Sequence, residues 1–196
     1  VLFESFESNI AYYNAIFAQV GQAPLNPDEE IKSISYAAAD VFKLRARENA
    51  EMLARIHGIA RTIDQRPFFD LLRPPFELRP FMLELKRRYR LALATNRSAT
   101  VPALVQHLKL ADVFDAIASA LDKVAPKPAP DILRLCLERA KVRPENAIYI
   151  GDSPIDREAA EAAGVAFIGV GTRVEHNHRI ATLRELEAAL LKLPSQ

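Results

Sequence analysis

Two aspartates four residues apart, Asp152 and Asp156, close an apolar run in the segment Tyr149-Ile150-Gly151-Asp152-Ser153-Pro154-Ile155-Asp156. Carboxylates are hard oxygen donors, and Mg²⁺ usually takes one or two of them while keeping several waters. In open parallel α/β sheets the ligand crevice lies beyond the carboxyl ends of the strands, so an acid just past a buried strand belongs to the chemistry. Asp156 would follow one helical turn after Asp152 on the same face, in reach of a metal-held water or of a lysine. Lys127, stiffened by the prolines of Ala125-Pro126-Lys127-Pro128-Ala129-Pro130-Asp131, offers a fixed positive charge. Thr95-Asn96-Arg97 ends another apolar run, Leu91-Ala92-Leu93-Ala94. There the Thr95 hydroxyl and the backbone amides of Asn96 and Arg97 suit a phosphate oxygen. Taken together, these groups suit phosphoryl transfer, which needs positioning and neutralisation of charge spread over several oxygens. Plainer readings stand beside this one. Asp152 and Asp156 also fit the N-cap and first-turn acid of a helix starting near Pro154, Lys127 alone would be a solvated loop lysine, and Thr95 alone an ordinary strand end.

Positioning these groups requires strands ending at Thr95 and Ile150, and the chain supplies them in its second part. Before that, Ile10, Tyr13, Phe17 and Val20 recur at helical spacing up to Gly21. Asn26-Pro27-Asp28-Glu29 then reads as an N-cap with proline at the first helical position. From Ala37 to Ile63 the pattern stays helical, with Gly58 as a break. Arg73-Pro74-Pro75 marks a connection. Beyond it short β-like runs alternate with helical ones, the βαβ signature. The expected elements are helix 80–88, strand 91–95, helix 100–108, strand 114–119, helix 130–140, strand 147–150, helix 155–163 stopped by Gly164, and strand 166–170. A capping box at Thr182-Leu183-Arg184-Glu185 opens a last helix running to Leu193. The fold class expected is α/β, a Rossmann-like parallel sheet core formed by residues 1–20 and 76–196 and interrupted by an all-helical cap, 21–75.

The chain has 196 residues, 49% of them hydrophobic and 26% charged, enough for one cored domain and a small insertion. A net charge of +1 gives no reason to expect nucleic acid or an anionic membrane as partner. No apolar run reaches bilayer-crossing length and no charged-then-apolar leader opens the chain, so a cytoplasmic location is expected. Cys136, the one cysteine, sits at helical spacing between Ile132 and Ala140 and reads as buried filler.

In this order and context the motifs resemble those of the haloacid dehalogenase superfamily, in its phosphatase branch with a helical cap, similar to phosphoglycolate phosphatases. The similarity covers nearly the whole chain. Thr95-Asn96 resembles the second motif of that family, Lys127 among its prolines the third, and Gly151-Asp152-Ser153-Pro154-Ile155-Asp156 the fourth. Ala159-Ala160-Glu161-Ala162-Ala163-Gly164 extends the match into the next helix. The resemblance implies a Mg²⁺-dependent phosphatase acting on a small phosphorylated metabolite through an aspartyl-phosphate intermediate. Thr95, Lys127 and Asp156 are its catalytic residues by that likeness, Asn96 and Arg97 bind substrate, and Asp152 holds the metal. A monomer or homodimer is expected.

The first motif of the family, an Asp-x-Asp-Gly sequence carrying nucleophile and general acid, does not occur in this chain. Val1-Leu2-Phe3-Glu4-Ser5 resembles its continuation, which places the nucleophile just upstream of Val1. A rival alignment takes Val1-Leu2-Phe3 as the tail of the first strand with the catalytic loop deleted. In the family that first strand is central. Without it, facing strand edges would leave buried groups unsatisfied at about 1–3 kcal/mol each, against a domain stability of roughly 5–15 kcal/mol. The intact protein is therefore expected to carry a buried strand and an Asp-x-Asp-Gly loop before Val1.

Lys43, Arg45, Arg47, Arg55, Arg61, Arg66 and Arg73 make the cap segment basic, which would suit a second anionic group on the substrate, as in phosphoglycolate; exposed arginines that only solvate are the alternative. His57 in the same segment is read as solvated, and His176 with His178 as lacking the third ligand a metal would need. A sugar phosphomutase shares the core motifs, and a chain truly without the nucleophile would be a catalytically dead phosphate binder. The carboxylate pair argues against a dehalogenase.

Overall fold

Tyr13, Ile16, Phe17 and Val20 recur at the spacing of one helix face, and that face is what the first helix, α1 (Phe6–Gln19), buries. The computed structural model describes residues 1–35, 38–97 and 100–191. They divide into two compact units, Phe3–Arg73 and a second made of Val1–Leu2 with the chain from Pro74 onward.

In the first unit α1 is followed by α2 (Pro27–Ser35), α3 (Ala38–Ala46), α4 (Ala50–Thr62) and the single turn α5 (Arg66–Phe69). The N-cap read at Asn26 forms, and Glu29 completes it as a capping box: Glu29 donates its N–H to Asn26 Oδ1 at 3.0 Å, and Asn26 donates its own to Glu29 Oε2 at 3.0 Å. Ile16, Phe17 and Ile56 are fully buried, packed with Tyr13, Val41 and Phe42. That packing draws α1 into the helical unit, whereas the sequence reading assigned residues 1–20 to the hydrolase core. Glu4 and Arg73 exchange backbone hydrogen bonds, Glu4 N–H to Arg73 O at 2.9 Å and Arg73 N–H to Glu4 O at 3.1 Å, and so close the unit at its two ends. Gly58 does not break the helix. It lies inside α4, and the interruption falls at Arg47 and Glu48, both left-handed with φ of 47° and 64°. Asn49 then caps α4 by accepting from the Met52 N–H at 2.9 Å. Ala37, where the helical pattern was expected to begin, lies outside the described residues.

The second unit runs α6 (Leu78–Lys86), β1 (Ala92–Thr95), α7 (Val101–His107), β2 (Ala116–Ser119), α8 (Asp131–Ala140), β3 (Ile148–Gly151), α9 (Pro154–Ala163), β4 (Ala166–Val170), β5 (Arg179–Ile180) and α10 (Leu186–Leu190). All strand pairings named here are parallel, and the fold is Rossmann-like. β1 pairs with β2, Thr95 opposite Ser119 at the end of the register. β3 pairs with β4, Gly151 opposite Gly169, and β4 with β5. Between β1 and β3 the described residues form no ladder, so the strands make two sheets. These sheets adjoin, because the Tyr149 hydroxyl of β3 reaches the Ala94 carbonyl of β1 at 3.4 Å and Ala94 packs beside Tyr149 and Phe167. Two-residue β5 carries too short a pattern to be read from sequence. The Thr182 capping box is not made. Glu185 instead accepts from the Ala181 N–H at 3.3 Å, a 3₁₀ turn spans Leu183–Glu185, and the expected end of the helix at Leu193 falls outside the described residues. Among the described residues no helix is long and apolar enough to cross a membrane.

Candidate functional site

Three of the site residues sit where a strand hands over to a loop or helix, and Lys127 lies in the loop before α8. Thr95 is the last residue of β1, Asp152 follows the last residue of β3, and Asp156 lies in the first turn of α9, behind Ser153 at the N-cap. Gly151 is required by close approach. A Cβ there would lie 2.4 Å from Asp156 Cβ and 2.8 Å from Phe167 Cε2, so only glycine lets the α9 carboxylate settle on the strand end.

Lys127 and Asp156 form a buried ion pair, Nζ to Oδ1 at 2.6 Å, with side chains 9% and 8% exposed. This overturns the solvated-loop reading of Lys127. Asp156 gathers further donors: the Tyr149 hydroxyl at 3.1 Å on Oδ1, and on Oδ2 the Ser153 hydroxyl at 2.6 Å and the Asp152 N–H at 3.3 Å. Burial opposes its ionisation, but the charge of Lys127 and the hydrogen bonds from Lys127, Ser153 and Tyr149 outweigh that and hold the carboxyl below its ordinary value. Of the two roles open to Asp156, the structure shows it holding the lysine. The helix-cap reading keeps a part, since Asp156 is also the first-turn acid of α9, but Asp152 is not the cap.

Asp152 is more open, its side chain 26% exposed, and its Oδ2 faces the guanidinium of Arg173. Its backbone N–H and the Lys127 ammonium bind opposite oxygens of Asp156. One carboxylate, that of Asp156, therefore joins Lys127 to Asp152.

On the β1 side Thr95 Oγ1 accepts the Arg97 N–H at 3.1 Å, so that amide turns inward to the hydroxyl. Asn96 does something not foreseen. Its side chain accepts the Lys127 N–H at 2.8 Å and donates to the Lys127 carbonyl at 3.0 Å, tying the loop after β1 to the lysine loop. Tyr149 and Arg173 also went unassigned in the sequence. A signal for Tyr149 was present, because residues two apart on a strand share a face and Gly151 faces Asp156. Nothing local marked Arg173, which comes from the loop after β4.

The other sequence candidates have the following surroundings. Cys136 is buried, its Sγ 3.3 Å from the Leu93 carbonyl, and burial pushes its thiol up to about 11, an inert residue as expected. His176 accepts the His178 N–H at 3.2 Å and lies edge-on to Phe167, and no group of three or more metal-binding side chains occurs among the described residues. In the helical unit Arg45 is committed to Glu29 at 3.0 Å and stacks over Phe17. Lys43, Arg66 and Arg73 pair with Asp40, Asp64 and Glu7. His57 is half-buried against Phe42 rather than solvated. Of the seven basic residues of that segment, Arg47, Arg55 and Arg61 make no ion pair among the described residues.

Comparison with known proteins gives the geometry a context. The family described as haloacid dehalogenase-like hydrolase matches residues 1–170. Fructose-1-phosphate phosphatase YqaB of Escherichia coli (strain K12) is 30% identical over 157 residues, 80% of this chain and 77% of that protein. Phosphoglycolate phosphatase of the same strain is 36% identical over 81 residues, 41% of this chain and 32% of its own length, so the match spans about a third of that relative. A crystal structure of a HAD-superfamily hydrolase, subfamily IA, variant 1, from Geobacter sulfurreducens superposes with a TM-score of 0.81 at 30% identity, covering 97% of this chain and 91% of that one.

Proposed function

The chain belongs to the haloacid dehalogenase-like hydrolase family, and we propose that it is a Mg²⁺-dependent phosphatase of a small phosphorylated metabolite. The observation that carries this reading is the buried Lys127–Asp156 pair, joined through Asp156 to Asp152 at the carboxyl end of a parallel strand. Such a pair costs several kcal/mol to desolvate and is weak evidence of stability in itself. It makes sense where a fixed cation must meet phosphoryl oxygens in a water-poor crevice.

Fit to a divalent ion rests on Asp152. It is the one carboxylate of the group left partly open, its side chain 26% exposed. Asp152 would hold Mg²⁺ as one of its one or two carboxylate ligands, and the ion when bound neutralises phosphoryl oxygens. Arg173, paired with Asp152 Oδ2, would compete with an ion for that oxygen. Lys127 offers the second positive charge, Asp156 keeps it aimed, and Asn96 fixes the backbone from which it projects. Thr95 at the end of β1 would orient a phosphate oxygen.

For the nucleophile the reading needs an aspartate outside Val1–Gln196, since no Asp-x-Asp-Gly occurs there. Support for a strand carrying it comes from β1 and β3, each of which presents an edge without a ladder partner among the described residues. An aspartate at that point would attack phosphorus, releasing the alcohol and forming an aspartyl-phosphate that water then hydrolyses.

The named activities of the relatives divide between a sugar phosphate and a short phosphorylated acid. The experiment is a panel including phosphoglycolate and fructose 1-phosphate, assayed on the full-length protein with Mg²⁺ and with chelator. Hydrolysis of at least one, lost on chelation and in Asp152→Asn, is expected. Near-normal turnover in that variant removes Asp152 from the metal site, and phosphate binding without any turnover makes the protein a binder instead.

A further inference from the structure

Lys127 has three ammonium protons, and the structure gives each an acceptor: Asp156 Oδ1 at 2.6 Å, Tyr149 Oη at 2.7 Å and the Ala94 carbonyl at 3.3 Å. The three acceptors come from α9, β3 and β1, so the ammonium is triangulated between elements rather than held by one partner. Tyr149 has the tightest requirements of the three. Its oxygen receives the lysine proton, so its own proton must go elsewhere, and Asp156 Oδ1 at 3.1 Å is the nearer of the two acceptors. This arrangement needs a neutral phenol. Burial first, and then the adjacent Asp156 charge, push its ionisation far above the ordinary range.

We propose that Tyr149 is a positioning residue for the phosphoryl-binding lysine, its buried hydroxyl fixing the Lys127 ammonium against Asp156 so that the charge stands ready at one place. The inference rests on the function proposed above for Lys127. A lysine on a four-carbon stem with a single carboxylate partner keeps much of its rotamer freedom. A second anchor on the strand takes that freedom away. Chemistry is not asked of the phenol itself, only the orientation of a neighbour, which matters because misplacement of a stabilising charge by a fraction of an ångström lowers the rate more than the binding.

Tyr149→Phe keeps the ring and its packing on Phe167 and removes one oxygen. Two measurements on the full-length protein decide the matter. First, the Lys127 ammonium signal in ¹⁵N NMR, identified by its loss in Lys127→Arg, is expected to exchange with solvent at least ten-fold faster in Tyr149→Phe; an unchanged rate overturns the proposal. Second, with p-nitrophenyl phosphate and Mg²⁺, kcat is expected to fall about ten-fold while KM stays within two-fold. A purely structural hydroxyl would lower the melting temperature and leave kcat alone, and that outcome also overturns it. Should the wild-type protein hydrolyse nothing, the phosphatase reading fails, and the NMR measurement still tells whether Tyr149 fixes the lysine.

Discussion

Asp156 accepts from four donors, Lys127 and Tyr149 on one oxygen, Ser153 and the Asp152 N–H on the other, more than a first-turn helix acid needs. Its carboxyl is held below its unfolded value, so the sign of its linkage is fixed. The stability it contributes is fully present above about pH 4 and is lost as the pH falls through the lower folded value. In Asp156→Asn the lysine keeps its burial and loses its counter-charge, which for buried pairs costs about 3–5 kcal/mol at neutral pH. Urea titrations of both proteins at pH 7 and pH 3 should show that gap narrowing at the acid end. A gap of constant size would mean that ionised Asp156 is not what stabilises the fold. At this scale the residue types were legible in the sequence. Their pairing was not, because whether Lys127 meets solvent or a carboxylate depends on where a loop 29 positions before Asp156 folds back.

The elements deliver these residues through handovers that local chemistry sets. The positive φ of Gly164 ends α9 as its composition suggests, while Gly58, identical in type, sits inside α4 without consequence. A glycine permits a turn; neighbouring packing decides whether one occurs. Less visible in advance was the clamp between loops, in which Asn96 hydrogen-bonds both backbone groups of Lys127. Asn96→Ala deletes both bonds, each worth about 0.5–1.5 kcal/mol net. The Lys127 backbone amide should then exchange with deuterium roughly ten-fold faster, about 1.4 kcal/mol of lost local protection. If the amide keeps its protection, the two loops are held by something other than Asn96.

At the scale of the molecule the two units have separate cores, one around Ile16, Phe17 and Ile56 and the others around residues such as Leu110, Ile132 and Ile168. Ile56→Ala should cost the helical unit about 2–5 kcal/mol. Hydrogen exchange is expected to rise in α1, α3 and α4 while α8 and α9 keep their protection. Uniform loss of protection would show that the cores unfold as one.

Periodicity alone determined the α/β class and the positions of β1, β3, β4 and of the helices between them, because these depend on neighbours within a few positions. Only the tertiary structure decided that α1 packs with the helical unit, that Arg45 pairs with Glu29 and stacks on Phe17, and that Tyr149 and Asn96 attend the lysine. Those outcomes depend on which surfaces exclude water together, and contacts between residues 29, 31 or more positions apart leave no periodic trace along a chain.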